Sequence, residues 1–295
     1  MSMTNLYLIT NHTNLHVGAG SSNQGVIDNL VQRDPVDQLP LINSSSLKGS
    51  LREYFEEVIE KDKDKGKKTI SDKIFGGGSN KDDSNTKKES KKGCYIFHDG
   101  IILSYPVRSN KEPFFNAFST MVIERFLESI DLNIFTLDEK VKNKLLELMK
   151  LNPQTGAPLI FNYADINNLK IEEFSSFVPK EDKTDEFKIL QKIFGDRLVL
   201  FSKEDFISLT DDYNLPVIAR NQLENGESKN LFYEQVVPRQ ARFYSFITNN
   251  DTNQSDLESN LSDKVAIQVG ANGSIGYGLC KFLHLNGLLN PKSSK

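Results

Sequence analysis

The chain has 295 residues, 38% of them hydrophobic and 26% charged, with a net charge of −4 and no tryptophan. This is long enough to bury a full core, in one elaborated domain or two small ones, and it reads as soluble and globular. It excludes a uniformly basic nucleic-acid coat protein, although a local basic face is compatible with a negative total. No apolar run approaches the roughly 20 residues of a membrane helix. The opening MSMTNLYLIT lacks the basic flank and small-residue cleavage site of a signal peptide. Cys94 and Cys280 lie far apart and form no metal-ligand spacing. The expectation is two buried, reduced thiols in a cytoplasmic protein.

Residues 4–17 read as a first strand, with Leu15 and Val17 on one face and His12, Asn14 and His16 on the other. Gly18, Gly20 and Gly25 then open a loop where backbone can approach a ligand closely, and Asp28 follows it. Ser44, Ser45 and Ser46 supply N-cap chemistry for a helix. Leu47, Leu51, Tyr54, Phe55 and Val58 recur at helical spacing and form its buried face. Lys48 and Arg52, at i and i+4, share a different face. They lie near an end that attracts anions through its free N–H groups and dipole. The pair reads as a phosphate clamp or as a solvated helix flank.

Residues 60–92 are charged and rich in Gly, Ser, Asn and Lys, and read as a mobile insertion in which only Ile70, Ile74 and Phe75 pack. Residues 94–108 have the β-branched and aromatic density of one or two core strands. Phe118, Val122, Phe126 and Ile130 predict a helix over 115–131, and a second amphipathic pattern covers 137–150. The stretch 157–206 mixes short strands and helices, with 198–201 the clearest strand. Residues 215–246 predict a long hairpin with its tip at Glu224-Asn225-Gly226. Arg220, Phe232, Tyr233, Arg239 and Arg242 are expected to be exposed along its arms. A strand at 243–248, a helix over 256–268 and a loop containing Gly270, Gly273, Gly276 and Gly278 lead to a last strand at 279–285. These glycines imitate a dinucleotide fingerprint. That fingerprint joins a strand to a following helix early in a βαβ unit, whereas this loop leads from a helix into a final strand. The nucleotide-cofactor reading fails.

HVGAG, GVIDNLVQRD, SSSLKGSLR, KIFGGG, YPVRS, LFYEQVVPR and GANGSIGYG are spread over nearly the whole chain. In this order they resemble the RAMP superfamily of CRISPR effector proteins, and within it the repeated backbone subunit of type III-B complexes. The resemblance implies an α+β fold: a ferredoxin-like (RRM-type) palm carrying inserted fingers and a thumb hairpin. One domain would span 1–295, with fingers at about 110–200 and the thumb at about 215–240. It implies a protomer stacked with copies of itself along a CRISPR guide RNA, beside other type III effector subunits, its thumb kinking the guide–target duplex. RNA contacts are expected at Lys48, Arg52, Ser46, Gly18, Gly20, Arg220, Arg239, Gly276 and Gly278. Asp28 falls where the family's G-V-x-D motif has its target-cleaving aspartate. It would hold a weakly bound divalent ion, Mg or Mn, in a reaction leaving a 2′,3′-cyclic phosphate. The charged insertion departs from the family pattern. Type III-A backbone subunits resemble the HVGAG, Asp28 and SLKG segments too, but are not expected to carry YPVRS or LFYEQVVPR.

RNA carries its own nucleophile, so a protein can promote cleavage by holding the scissile unit in line for attack. A carboxylate such as Asp28 can recruit a metal ion that stabilises charge on phosphoryl oxygens. His16 reads as an acid or base, or as a polar histidine at a loop end. Glu234 reads as a second proton-transfer group or as a surface carboxylate. Besides a target-RNA endonuclease subunit, two other readings stand: a purely structural RNA-binding filament subunit, and a stand-alone nuclease that processes CRISPR transcripts.

Overall fold

The computed structural model describes residues 3–21, 26–59, 69–77, 91–133, 135–251, 256–261 and 264–289. At its centre lies the strand Met3–Asn11, whose residues Asn5–Ile9 are all buried. Burial on both faces explains why this segment is a near-continuous apolar run rather than an alternating one. Arg242–Asn249 pairs antiparallel on one side and Leu279–His284 on the other, with Gly100–Val107 beyond Arg242–Asn249. Numbered by sequence, these four strands lie in the order 4-1-3-2. The helix Ser44–Tyr54 separates the first two and the short helix Asp256–Asn260 the last two. This is the ferredoxin-like βαββαβ palm.

The fingers enter between the second and third palm strands and continue the same sheet. Phe115–Ser119 pairs antiparallel with Gly100–Val107 and parallel with Leu198–Phe201, which in turn pairs with Leu159–Phe161. A chain of ring contacts, Phe118–Phe194 (5.2 Å) and Phe194–Phe126 (6.5 Å) within the fingers and Phe126–Tyr244 (5.0 Å) across to the third palm strand, joins the fingers to the palm core. Each such fully buried aromatic contributes on the order of 2–3 kcal/mol of burial free energy.

Several sequence expectations are corrected here. The first strand stops at Asn11, because the Asn11 side-chain amide donates to the carbonyls of Thr13 and Pro238 and turns the chain. The helix expected over 115–131 is a buried strand, Phe115–Ser119, followed by a helix, Thr120–Leu132. A short strand buried on both faces has no alternation to tell it from a helix. Residues Phe55–Ile59 form a π-helical turn, whose wider winding rotates Val58 off the apolar stripe to 60% exposure. The expected helix 256–268 divides into Asp256–Asn260 and the strand Ala266–Gln268, so the glycine loop connects two antiparallel strands. Cys94 is half-buried and Cys280 buried; the two form no disulfide.

Within 60–92, Ile74 and Phe75 of the helix Thr69–Phe75 are buried and Ile70 packs against the core. Gly76–Gly77 pairs with Lys91–Lys92. The remainder of that expected mobile insertion lies outside the described residues.

The thumb forms as its sequence predicts. Val217–Glu224 and Glu227–Gln235 pair around Asn225 and Gly226, both left-handed (φ 54° and 84°). This is the pattern of a type I′ turn, whose twist matches its strands. The hairpin base is widened into a small sheet by Asn29–Val31 and Gly18–Ser21. Along its arms Arg220, Phe232 and Tyr233 are half-buried rather than exposed, and Arg242 does not belong to the hairpin. It is half-buried on the third palm strand and donates to the carbonyls of Lys192 and Ile193 at the end of the helix Asp185–Phe194.

Candidate functional site

Three separate stretches of sequence meet at the thumb base: the loop after the first strand, the hairpin, and the C-terminal glycine loop. His16 is 4% exposed. Its Nδ1 lies 2.7 Å from the Gln235 carbonyl, which can only accept, so Nδ1 carries a proton. The opposite nitrogen, Nε2, therefore faces Glu234 Oε1, at 3.5 Å. Glu234 is 3% exposed, which overturns the surface-carboxylate reading. Its Oε2 accepts from the Asn272 amide at 2.7 Å and from Arg220 Nη1 at 3.3 Å. Arg220 Nη1 also donates to Asn272 Oδ1 at 2.7 Å, and its guanidinium lies 5.1 Å from the Phe232 ring centroid. A buried carboxylate needs this many partners to offset its desolvation.

The glycine loop is fastened directly to the histidine segment. Ala271 N–H donates to the His16 carbonyl and Gly278 N–H to the Asn14 carbonyl, each at 2.8 Å. A Cβ on Gly270 would sit 2.4 Å from the His16 carbonyl oxygen, so only glycine allows this approach. Gly276 is exposed and Gly278 buried in the same loop.

Asp28 is exposed and hydrogen-bonded to the thumb: its N–H donates to the Tyr233 carbonyl (3.0 Å) and its Oδ2 accepts from Tyr233 N–H (2.7 Å). The segment after it runs parallel to the thumb strand, Asn29 opposite Glu234. Asp28 is thus one residue before the position opposite the buried glutamate, and its Oδ1 accepts no hydrogen bond among the described residues. No three His, Cys, Asp or Glu side chains converge among the described residues. A single open carboxylate fits a divalent ion completed by water and phosphate oxygens, and does not fit a tight protein cage.

The expected RNA contacts occupy distinct positions. Gly18 lies against His16, Gly20 is exposed, and Arg239 is exposed at the thumb base. Ser46 and Lys48 are half-buried in the first turns of the helix Ser44–Tyr54, and Lys48 makes no ion pair among the described residues. Arg52 differs from Lys48, because one of its nitrogens donates to the Gly76 carbonyl at 2.5 Å and its guanidinium lies 5.7 Å from the Phe75 ring centroid. The helix cap differs from the serine cap that the sequence predicts. Asn43 holds the N-cap position without a side-chain bond, and Asp99 Oδ1 accepts from Ser44 N–H at 2.6 Å. Sequence reasoning missed Asp99, Gln235 and Asn272. Of these only Asn272 leaves a local signal: an asparagine between glycines suits a left-handed residue, here at φ 67°.

The sequence profile of the RAMP superfamily matches residues 8–281. The chain belongs to the RAMP superfamily. Among RAMP proteins it is 28% identical to the CRISPR system Cmr endoribonuclease Cmr4 of Pyrococcus furiosus over 290 residues, 91% of each chain. It is 29% identical to the CRISPR system endoribonuclease Csm3 of Streptococcus thermophilus over 174 residues, 55% of this chain and 68% of that one. The RAMP fold is reproduced in the type III-B Cmr-beta complex bound to cognate target RNA, with TM-score 0.72 at 17% identity, covering 97% of this chain and 98% of that one. Oligomeric Cmr4 from Pyrococcus furiosus matches with TM-score 0.65 at 20% identity, covering 96% and 98%.

Proposed function

We propose that this RAMP protein is the guide-RNA-binding backbone subunit of a type III-B CRISPR effector, acting in the cytoplasm and cleaving the complementary target RNA. The observation that carries the proposal is the match, over nine-tenths of both chains, to a relative named a Cmr endoribonuclease. The match to Csm3 covers about half of this chain, which favours type III-B over type III-A. Copies of the chain stack along the guide together with other effector subunits, as expected of a protein similar to an oligomeric Cmr4 and to a subunit of a target-bound complex.

Cleavage proceeds by attack of a target ribose 2′-hydroxyl on the adjacent phosphate, giving a 2′,3′-cyclic phosphate and a free 5′-hydroxyl. The protein's task is to hold that unit in line. Asp28 stands at the thumb base with one oxygen that accepts no hydrogen bond among the described residues. When bound there by Asp28, a divalent ion such as Mg or Mn supplies charge neutralisation at the phosphoryl oxygens. His16 moves the proton: its Nδ1 is fixed on the Gln235 carbonyl, so transfer occurs at Nε2, the atom that Glu234 orients. Lys48, free of protein partners among the described residues, contacts a guide phosphate, and Arg220, Arg239, Ser46 and the exposed glycines line the RNA path.

Asp28→Ala in the assembled effector is expected to abolish target cleavage while guide binding survives. Cleavage of labelled target RNA, with magnesium or manganese against EDTA, checks both the residue and the ion. Wild-type cutting by Asp28→Ala would remove Asp28 from the reaction, and a metal-dependent wild type with an inert variant supports the assignment.

A further inference from the structure

We propose that Asn272 is a positioning residue for target cleavage, acting through Glu234 on His16. The inference rests on the reading that His16 and Glu234 serve the cleavage reaction. Glu234 is buried with its two oxygens in different environments. Oε2 receives Asn272 Nδ2 at 2.7 Å and Arg220 at 3.3 Å, while Oε1 is left to His16 Nε2 at 3.5 Å. A carboxylate with one oxygen anchored cannot rotate, so the other keeps its aim at the imidazole.

The Asn272 amide can do this in one orientation only. Its nitrogen faces a carboxylate and its oxygen faces the Arg220 guanidinium. A flipped amide would set oxygen against oxygen and nitrogen against nitrogen. The left-handed backbone at Asn272 aims the side chain into the thumb, and the loop's bond from Ala271 to the His16 carbonyl fixes the loop against the same histidine. The C-terminal glycine loop therefore contributes to the cutting centre as well as to guide contacts. No other residue of that loop reaches Glu234 with a side chain among the described contacts.

The experiment is single-turnover cleavage of target RNA by the assembled, guide-loaded effector, with guide and target affinities measured in parallel. Asn272→Gly keeps the left-handed backbone and deletes the amide. The cleavage rate constant is expected to fall roughly 10- to 100-fold with RNA affinities unchanged. Asn272→Asp is nearly isosteric, accepts the left-handed backbone and retains an acceptor for Arg220. It replaces the donor with a second carboxylate facing Glu234, and is expected to lose at least as much. In a Glu234→Gln background, Asn272→Gly should cost nothing further, because its route to His16 has been removed. An equal loss in both backgrounds, or a wild-type rate for Asn272→Asp, overturns the inference. Asp28→Ala in the same assay gives the uncut baseline, and Glu234→Gln tests the reading itself. If Glu234→Gln is slow while Asn272→Asp is fully active, the inference alone fails; if Glu234→Gln cuts at the wild-type rate, the underlying reading falls as well.

Discussion

Gly18 sets a steric condition on the histidine at this site. A Cβ added there would stand 3.0 Å from His16 Nε2, closer than the neighbouring ring tolerates. The ring cannot swing aside freely, because Nδ1 is held 2.7 Å from the Gln235 carbonyl. Gly18→Ala should therefore displace Nε2 by a few tenths of an ångström relative to Glu234 Oε1. A shift of that size costs about tenfold in rate where a full ångström costs about a hundredfold. Guide affinity should change little, since the atoms the added methyl meets belong to the His16 ring. Single-turnover cleavage by Gly18→Ala measures this, and a wild-type rate would show that the imidazole position does not limit the reaction. The sequence placed His16 by alternation on a face opposite Leu15. Its burial and its partner were invisible there, because both depend on Gln235 and Glu234, more than 200 positions away.

Two elements use basic residues in opposite ways, and substitution distinguishes them. The helix Ser44–Tyr54 presents Lys48 with no protein partner among the described residues, whereas the helix Asp185–Phe194 ends on Arg242, which satisfies two of its carbonyls. Lys48→Ala should weaken RNA binding across guide sequences and lower the salt dependence of affinity by about one phosphate contact. Arg242→Ala should leave the salt slope unchanged and destabilise the fold by about 2 kcal/mol, the worth of charged hydrogen bonds lost from a helix end. Salt-dependent binding isotherms and urea denaturation of the two variants make the comparison. Alternation and charge alone put Arg242 on the thumb, since nothing nearby in sequence announces a helix ending 48 residues earlier. The thumb itself was legible, because Asn225-Gly226 encodes its turn locally. So was the helix Ser44–Tyr54, from its apolar spacing, although its cap was not: Asp99 reaches Ser44 from a different part of the chain. The order of segments was readable and their meeting points were not, which is why Asn272 escaped notice while the glycines around it did not.

At the scale of the whole molecule, the end of the palm away from the thumb is closed by a polar cluster that makes stability depend on pH. Glu258, on the short second crossover helix, accepts from the Asn5 amide at 2.9 Å and from the Tyr95 hydroxyl at 2.6 Å. Asn5 Oδ1 in turn lies 3.1 Å from His284 Nε2 and accepts from Asn286 at 3.1 Å. The cluster thus ties the first and last palm strands to the second crossover. Burial lowers the pKa of His284 below its ordinary 6.5, against a smaller opposing pull from Glu258. Burial does the same to His98, opposed by Asp99. Groups with a depressed basic pKa are neutral in the fold, while the unfolded chain protonates them below about 6.5. Their contribution is complete above that value and is lost as pH falls through it toward the lower folded value. Asp34 and Asp182, whose acidic pKa values are lowered by Val36 N–H with Arg125 and by Thr184 with Lys144 against the opposing effect of burial, lose theirs only further down, below about 4. Acid should therefore destabilise the protein in two stages, the first between pH 7 and 5. Urea midpoints measured across that interval should fall for the wild type and fall less for His284→Gln. The glutamine amide keeps a donor for Asn5 and has no proton to gain. Parallel midpoints for the two proteins would exclude His284 as a source of the first stage, and a flat wild-type profile would exclude both histidines.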